Sequence, residues 1–441
     1  MIRSLLIANR GEIAVRIIRT CREMGIRSVA VYSEADSDAL HVKMADRVVC
    51  IGPPASALSY LNQDALLTAA LATGCDAIHP GVGFLSENAD FAEAVRKAGL
   101  VFIGAEPKII RLLGDKVQAK KTALAAGLSL IPGSEGVVHN IDEAIKVTKR
   151  IGTPLIVKAA GGGGGRGMRI IRNPVELDEC IRIASSEAIS FFSDGAVFLE
   201  RYLENPRHVE IQILSDGKGE ILYLGERDCS VQKNYQKLLE ESPSTAVNSK
   251  LREAMRKDVI RLFRKIKYVG AATVEFLVEN NHYYFMEVNA RVQVEHPVTE
   301  LMCGVDIIRE QILACTEGQM DITQDSIHIR GYALETRINA LTPGEVSLFV
   351  APGGPFVRTD TFLYTGCSVS PHYDSMVAKV LIWAPDRKIG LARMSRALKD
   401  LQIEGITTNL SEQLAILESP QFRSGRFGTN LYSTIIEAPT E

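Results

Sequence analysis

The chain is 441 residues long, which at roughly 150 residues per domain suggests about three domains, or two with a large insert, and excludes a single small binding module. Its 50 Lys+Arg against 53 Asp+Glu give a net charge of −3, so no global field recruits nucleic acid or an anionic membrane. With 46% hydrophobic and 23% charged residues, the composition is that of a packed globular protein and excludes a disordered one.

The first hundred residues alternate short apolar runs with amphipathic stretches: Ser4–Ala8, a helical pattern from Glu12 to Met24, Ser28–Tyr32, Val48–Ile51, a second helical stretch from Asp64 to Ala72, and Ala77–His79. That rhythm predicts an α/β unit, a parallel sheet with helices on its faces. A dinucleotide site needs G-x-G-x-x-G after the first strand, and Asn9-Arg10-Gly11-Glu12 supplies a single glycine. From Gly114 a helix containing Lys116 leads to an apolar strand, Pro154–Lys158, then to the glycine run Gly161–Gly165 with Arg166 and Gly167, and to a strand at Met168–Ile171. This reads as a small inserted β-rich unit with one helix, Val175–Ser185, running to about Leu203. Strand runs at His208–Leu214, Glu220–Leu224, Thr273–Val278 and Tyr283–Val288, with few intervening helices, predict an α+β domain. A final block from His328 carries strands at Tyr332–Ile338 and Met376–Trp383 and a helix near Ile389–Leu401. The expected division is 1–113, 114–325 with an inserted lid over about 130–203, and 326–441.

Eight cysteines (Cys21, Cys50, Cys75, Cys180, Cys229, Cys303, Cys315, Cys367) stand singly and read as reduced structural thiols. The N-terminal run of about four apolar residues is too short for a signal peptide or spanning helix, so a cytoplasmic, membrane-free protein is expected.

Three groups of residues carry chemistry. The glycine run costs much chain entropy to order, and with Lys158 before it and Arg166 within it the loop can fold its N–H groups around phosphate oxygens. A flexible surface loop is the other reading; a Walker A loop is not, because no G-K-[ST] follows. Glu275 and Glu287, on two strands joined by the turn-like Glu279-Asn280-Asn281-His282, can lie on one face with Asn289, a hard-oxygen set suited to Mg²⁺ on a polyphosphate. Two exposed glutamates on a hairpin would show the same spacing. In Arg291-Val292-Gln293-Val294-Glu295, a guanidinium, an amide and a carboxylate form a pocket for a small planar oxyanion with Glu295 as base, or else a loop with an internal Arg–Glu pair. Lys237 and Arg337 add charge from distant segments, informative only if they converge. His208 and His79 taken singly read as core or hydrogen-bonding residues, not ligands.

Several blocks together resemble the biotin carboxylase family of ATP-grasp enzymes over essentially the whole chain: Ile7–Ala14, His79-Pro80-Gly81, Gly83–Asn88, the Lys158–Gly167 loop, Glu204–Glu210, Glu226–Ser230 and Gln293–Glu300. The resemblance implies a Rossmann-like pre-ATP-grasp domain, an ATP-grasp domain with a mobile glycine-rich lid, and a biotin carboxylase C-terminal domain. It implies ATP contacts at Lys116, Lys158, Gly163, Gly164, Gly165, Arg166, Gly167, Glu200, Arg201, Leu203, His208, Gln232, Glu275 and Glu287, and Mg²⁺ (or Mn²⁺) on Glu275, Glu287 and Asn289. Lys237, Arg291, Gln293 and Val294 would hold bicarbonate, Glu295 would take its proton, and Arg337 would stabilise the enolate of biotin. No Ala-Met-Lys-Met biotinylation site or carboxyltransferase segment occurs, so a separate biotin carboxyl carrier protein and carboxyltransferase subunits are the implied partners, with homodimerisation through Arg19, Glu23 and Arg358 and an aromatic displaced to Phe356. The chain departs from the family pattern at Val82 (tyrosine is usual), Asn234 (a basic residue), Tyr235 (histidine) and Leu341-Thr342-Pro343, after which the loop is shorter. A paralogue acting on another acceptor, or a non-catalytic nucleotide-binding subunit, are the alternative expectations.

Overall fold

The computed structural model of the protein describes residues 2–159, 168–192 and 195–437. β1 (Ser4–Ile7) is buried along its length, as a strand covered on both faces must be. It lies between β2 (Arg27–Tyr32) and β4 (Ala77–His79), with β3 (Arg47–Cys50) and β5 (Val101–Phe102) outside them, all parallel, in the order β3-β2-β1-β4-β5. The helix Gly11–Glu23 buries Ile13, Ala14, Ile17, Ile18 and Cys21 against this sheet. Successive strands diverge to opposite sides of β1, which opens a crevice at its carboxyl end; open α/β sheets bind ligands at such a switch point. Asn9 to Gly11 and Gly81 to Phe84 follow β1 and β4 there, and Asn9 Nδ2 ties the two loops through the carbonyls of Pro80 (2.8 Å) and Val82 (2.7 Å).

The inserted unit has its own core, in which Val138, Ala144, Ile151, Leu155, Val157, Ile171, Leu177, Ala184, Val197 and Leu199 pack together. Its antiparallel strands β6 (Leu155–Ala159), β7 (Met168–Ile171) and β8 (Val197–Arg201) run in the order β7-β6-β8. Two helices cover them where one was expected: Leu177–Phe192, longer than the sequence pattern suggested, and Ile141–Ile151. The second is legible in hindsight from Asn140, whose side chain caps the Glu143 N–H at 2.9 Å, followed by apolar residues at helical spacing.

The remaining strands join one eight-stranded antiparallel sheet. They are β9 (Arg207–Asp216), β10 (Ile221–Lys233), β11 (Gln236–Ser242), β12 (Val269–Glu279), β13 (His282–Asn289), β14 (Tyr332–Asn339), β17 (Val357–Thr361) and β19 (Met376–Ala384), in the order β13-β12-β9-β10-β11-β14-β19-β17. Two small pairs, β15 (Gly344–Glu345) with β18 (Ser368–Val369) and β16 (Leu348–Val350) with β20 (Gln402–Glu404), brace its far end. β11 pairs with β14, so the sheet runs unbroken across residue 325. Helices are more frequent here than the strand pattern suggested: Ser249–Ile266 buries Met255, Val259, Leu262 and Phe263, and His296–Cys303 and Ile307–Thr316 follow β13. Among the described residues no helix is long and apolar enough to cross a membrane.

Candidate active site

A cleft of about 700 Å³ is lined on one side by Asn9 to Ile13 and Val82 to Phe84 and on the other by the eight-stranded sheet, through Lys237, Glu275, Glu287 and Arg337, and by Arg291 and Glu295 from the segment after β13. The polar residues reach it by strand alternation. His208, Glu210 and Gln212 alternate with Val209, Ile211 and Ile213 on β9, so one face of the strand is polar and the other joins the core.

At the centre stands Lys237, brought there by a two-residue turn in which Asn234 (φ 51°) and Tyr235 (φ 65°) both take the left-handed conformation that a tight hairpin demands. Its ammonium donates to Glu210 Oε2 at 2.6 Å, Glu275 Oε1 at 3.0 Å and Glu295 Oε1 at 2.6 Å. Burial alone would lower its pKa; the three carboxylates outweigh that and raise it well above the usual lysine value. Glu295 is shared: its Oε2 accepts from Arg337 Nη2 at 2.9 Å, while Arg337 Nε donates to Glu240 at 2.7 Å. Against the effect of burial, Lys237, Arg337 and Arg227 hold the Glu295 carboxyl well below the ordinary range, so it is ionised and able to accept a proton. An anion that drew Lys237 away would raise its basicity. The third cation, Arg291, donates to Glu87 Oε2 (2.8 Å), Gln293 Oε1 (3.1 Å) and Asn289 Oδ1 (3.1 Å). Thus Lys237, Arg291, Gln293, Val294, Glu295 and Arg337, read from three separate segments, all line one cleft.

Glu275 and Glu287 are directly opposed on β12 and β13, with Asn289 opposite Thr273 on the same face. Asn289 Nδ2 donates to Glu275 Oε1 at 3.0 Å. Burial would raise the Glu275 pKa, but Lys237 and His208 hold it well below the carboxylate range; His208 Nε2 lies 2.8 Å from Glu275 Oε2. Glu287 goes the other way, raised by desolvation in the cleft and by repulsion from Glu275, with the Lys116 charge opposing. Two hard carboxylates that repel at one spot fit a divalent cation, which would reverse the sign of that interaction. His208, Glu210 and Glu275 also present atoms within 4.8 Å of one another, but Lys237 bonds two of the three and supplies the positive charge there.

Beside the cleft, Gln232 Nε2 meets His208 Nδ1 at 2.6 Å. Lys158 on β6 donates to Glu200 Oε2 at 2.7 Å, and Leu203, just past β8, is buried. Arg201 turns away, to the carbonyl of Ile151 at 3.1 Å. Gly163, Gly164, Gly165, Arg166 and Gly167, expected at the nucleotide phosphates, lie outside the described residues. Tyr235 is exposed at its turn and, like Val82, lines the cleft. Arg19, Glu23 and Arg358 line a separate surface cavity of about 360 Å³ with Arg16 and Glu300; Phe356 is exposed and lies against Trp383, ring centroids 5.1 Å apart.

Sequence reasoning missed Glu210, Arg227, Glu240, Glu87 and Lys120. Arg227 is wholly buried and binds Glu210 (2.6 Å), Gln212 (2.9 Å) and Thr299 (2.7 Å), which fixes the carboxylate that holds Lys237. For Glu210 the available signal was the alternation of polar and apolar residues along β9. Lys120 had none: it reaches Glu200 Oε1 at 2.6 Å from the helix Lys116–Ala125.

Comparison with known proteins shows the family. Residues 1–110 match the family model for the biotin carboxylase N-terminal domain, residues 115–321 that for the carbamoyl-phosphate synthase L chain ATP binding domain, and residues 334–434 that for the biotin carboxylase C-terminal domain. Biotin carboxylase 1 of Bacillus subtilis (strain 168) is 49% identical over 98% of this chain and 99% of its own length, and the biotin carboxylase of Haemophilus influenzae is 48% identical over 98% of each. A biotin carboxylase–βγ-ATP complex from Campylobacter jejuni superposes with a TM-score of 0.92 at 44% identity, covering 98% of this chain and 99% of that one. The biotin carboxylase domain dimer of Hydrogenobacter thermophilus 2-oxoglutarate carboxylase, in complex with MgADP, ADP and bicarbonate, gives 0.90 at 41% identity, covering 98% and 97%.

Proposed function

The chain belongs to the biotin carboxylase family, and from that premise we propose how its own residues divide the work of the reaction. The protein is an ATP-dependent ligase that carries out biotin carboxylation, using ATP, magnesium and bicarbonate, with biotin as a carried substrate. The observation that carries the site assignment is the meeting of Lys237 and Arg337 on the one carboxylate of Glu295.

In this reading Lys237, Arg291, Gln293 and the backbone of Val294 receive bicarbonate, which is a weak nucleophile at neutral pH. Lys116, Lys158, Glu200, Leu203, His208 and Gln232 hold the nucleotide, with the loop containing Gly163 to Gly167 over its phosphates. Glu275, Glu287 and Asn289 would hold magnesium, which neutralises charge on the transferring phosphoryl group when bound. As Lys237 shifts from Glu295 to the incoming anion, Glu295 gains the basicity to take the bicarbonate proton, and the oxygen so exposed attacks the γ-phosphate to give carboxyphosphate. Decay of carboxyphosphate to CO₂ and phosphate leaves a base for the biotin N1′ proton, and Arg337 pairs with the ureido oxyanion that forms.

The biotin is borne on a separate carrier protein, the assembly includes carboxyltransferase subunits, acetyl-CoA is the final acceptor, and the chain acts as a homodimer through the face around Arg19, Glu23 and Arg358. The dimer formed by the Hydrogenobacter thermophilus domain supports the last of these. ATP hydrolysis by the purified chain, measured with and without bicarbonate and free biotin, tests the assignment. Turnover that needs bicarbonate and rises with biotin is expected; turnover indifferent to bicarbonate would remove it.

A further inference from the structure

Lys379 stands on β19 directly across from Arg337 on β14 and from Asp360 on β17, so three charged residues form a row on one face of the sheet. Its side chain is wholly buried. The neighbours in the row do not hydrogen-bond it. Asp360 is held by Arg358 through two hydrogen bonds of 2.9 and 2.7 Å, and Arg337 carries the same sign of charge. Lys379 instead donates to the carbonyl of Val294 at 2.7 Å, and its ammonium lies 3.1 Å from Glu12 Oε1. The acidic side chains that face it are Glu12, Glu335 and Asp360, and Glu12 foremost keeps it charged against the effect of burial.

Glu12 comes from the first turn of the helix Gly11–Glu23, and Val294 from the segment just before the helix His296–Cys303. One ammonium therefore joins three parts of the chain behind the cup. A buried lysine is costly to desolvate, and removing it alone would leave the buried Glu12 carboxylate without its cation. What the ammonium holds is specific: the Val294 carbonyl belongs to the peptide that leads into Glu295. Holding that peptide sets the direction of the Val294 backbone and the point from which the Glu295 side chain reaches Lys237 and Arg337.

We infer that Lys379 is a positioning residue for bicarbonate: it holds the Val294–Glu295 peptide in the orientation the anion cup requires, without touching the anion. This rests on the assignment of the cup to bicarbonate. The test is steady-state bicarbonate-dependent ATP hydrolysis by the full chain and by its Lys379→Met variant, with thermal unfolding of both. Loss of one charged hydrogen bond to the cup is expected to raise the KM for bicarbonate about tenfold or more and leave the KM for ATP within about twofold. An unchanged bicarbonate KM, or equal rises in both constants, overturns the inference. If Lys379→Met does not fold, Lys379→Arg keeps the charge but moves the donor, and the same split between the two constants is expected. Failure of both variants to fold makes Lys379 structural and overturns it too. A wild-type chain without bicarbonate-dependent hydrolysis would instead remove the functional reading on which the inference stands.

Discussion

Glu275 and Glu287 face each other across β12 and β13 because of one extra residue, Met286. From the turn outward the strands pair Glu279 with His282 and Phe276 with Phe285, and a bulge then places Glu287, not Met286, opposite Glu275. An unbulged hairpin would send the two carboxylates to opposite faces of the sheet, since side chains alternate at every residue. The site thus holds two like charges in register. Glu287→Gln is expected to raise the stability of the nucleotide-free protein by roughly 0.5 kcal/mol, a small gain because the side chain is open to the cleft. It is also expected to lose the added stabilisation that magnesium gives with ADP. Thermal unfolding with ADP, with and without Mg²⁺, checks both; a variant that still responds fully to Mg²⁺ removes Glu287 as a ligand.

Glu200 is the second shared carboxylate. Lys120 and Lys158 bind its two oxygens at 2.6 and 2.7 Å, and against burial they hold it below its ordinary pKa. With Lys120→Ala, Lys158 becomes the sole cation on Glu200 and is less free to meet a phosphate. The KM for ATP is expected to rise about threefold to tenfold, equivalent to roughly 1 kcal/mol, with the bicarbonate KM unchanged. Initial-rate measurements with each substrate varied would refute this if ATP affinity stayed constant.

Glu335 lies wholly buried on β14 with neither oxygen hydrogen-bonded. Burial pushes its pKa well above the ordinary value, against the pull of Lys379. A carboxyl that binds its proton more tightly when folded contributes stability that is complete below its unfolded pKa of about 4.3 and is lost as pH rises toward the folded value. Glu335→Gln stays neutral throughout and escapes that loss. Its Tm is expected to match the parent near about pH 4 and to exceed it by a widening margin toward about pH 8. A margin that shrank over this range would mean that the carboxyl is ionised and paired.

Arg337 uses a planar fork, with Nε on Glu240 and Nη2 on Glu295. Arg337→Lys keeps the charge but offers one nitrogen in place of two fixed directions. Biotin-dependent turnover is expected to fall about 100-fold, and bicarbonate-dependent ATP hydrolysis without biotin by clearly less. Equal losses in the two assays would place Arg337 in phosphoryl transfer.

The alternating sheet of residues 1–100, the hairpin turn at Asn280-Asn281, the Glu275–Glu287 pair and the Arg291–Glu295 segment were legible in the amino-acid order, because periodicity, turn chemistry and clustered charge are local properties; Lys237 and Arg337 took their roles only from the family resemblance. The glycine run was equally legible as a pattern. What the linear order could not show is which charges meet. Lys237 meets Glu210 and Glu295, Arg337 meets Glu240, and Lys379 meets Val294 across tens of residues, through strand register. Register depends on bulges and on pairing partners chosen by the whole sheet. Local sequence determined that this chain would carry costly charges on apolar strands; only tertiary packing decided which of them offset one another, because the field at each charge is summed over neighbours in space and not along the chain.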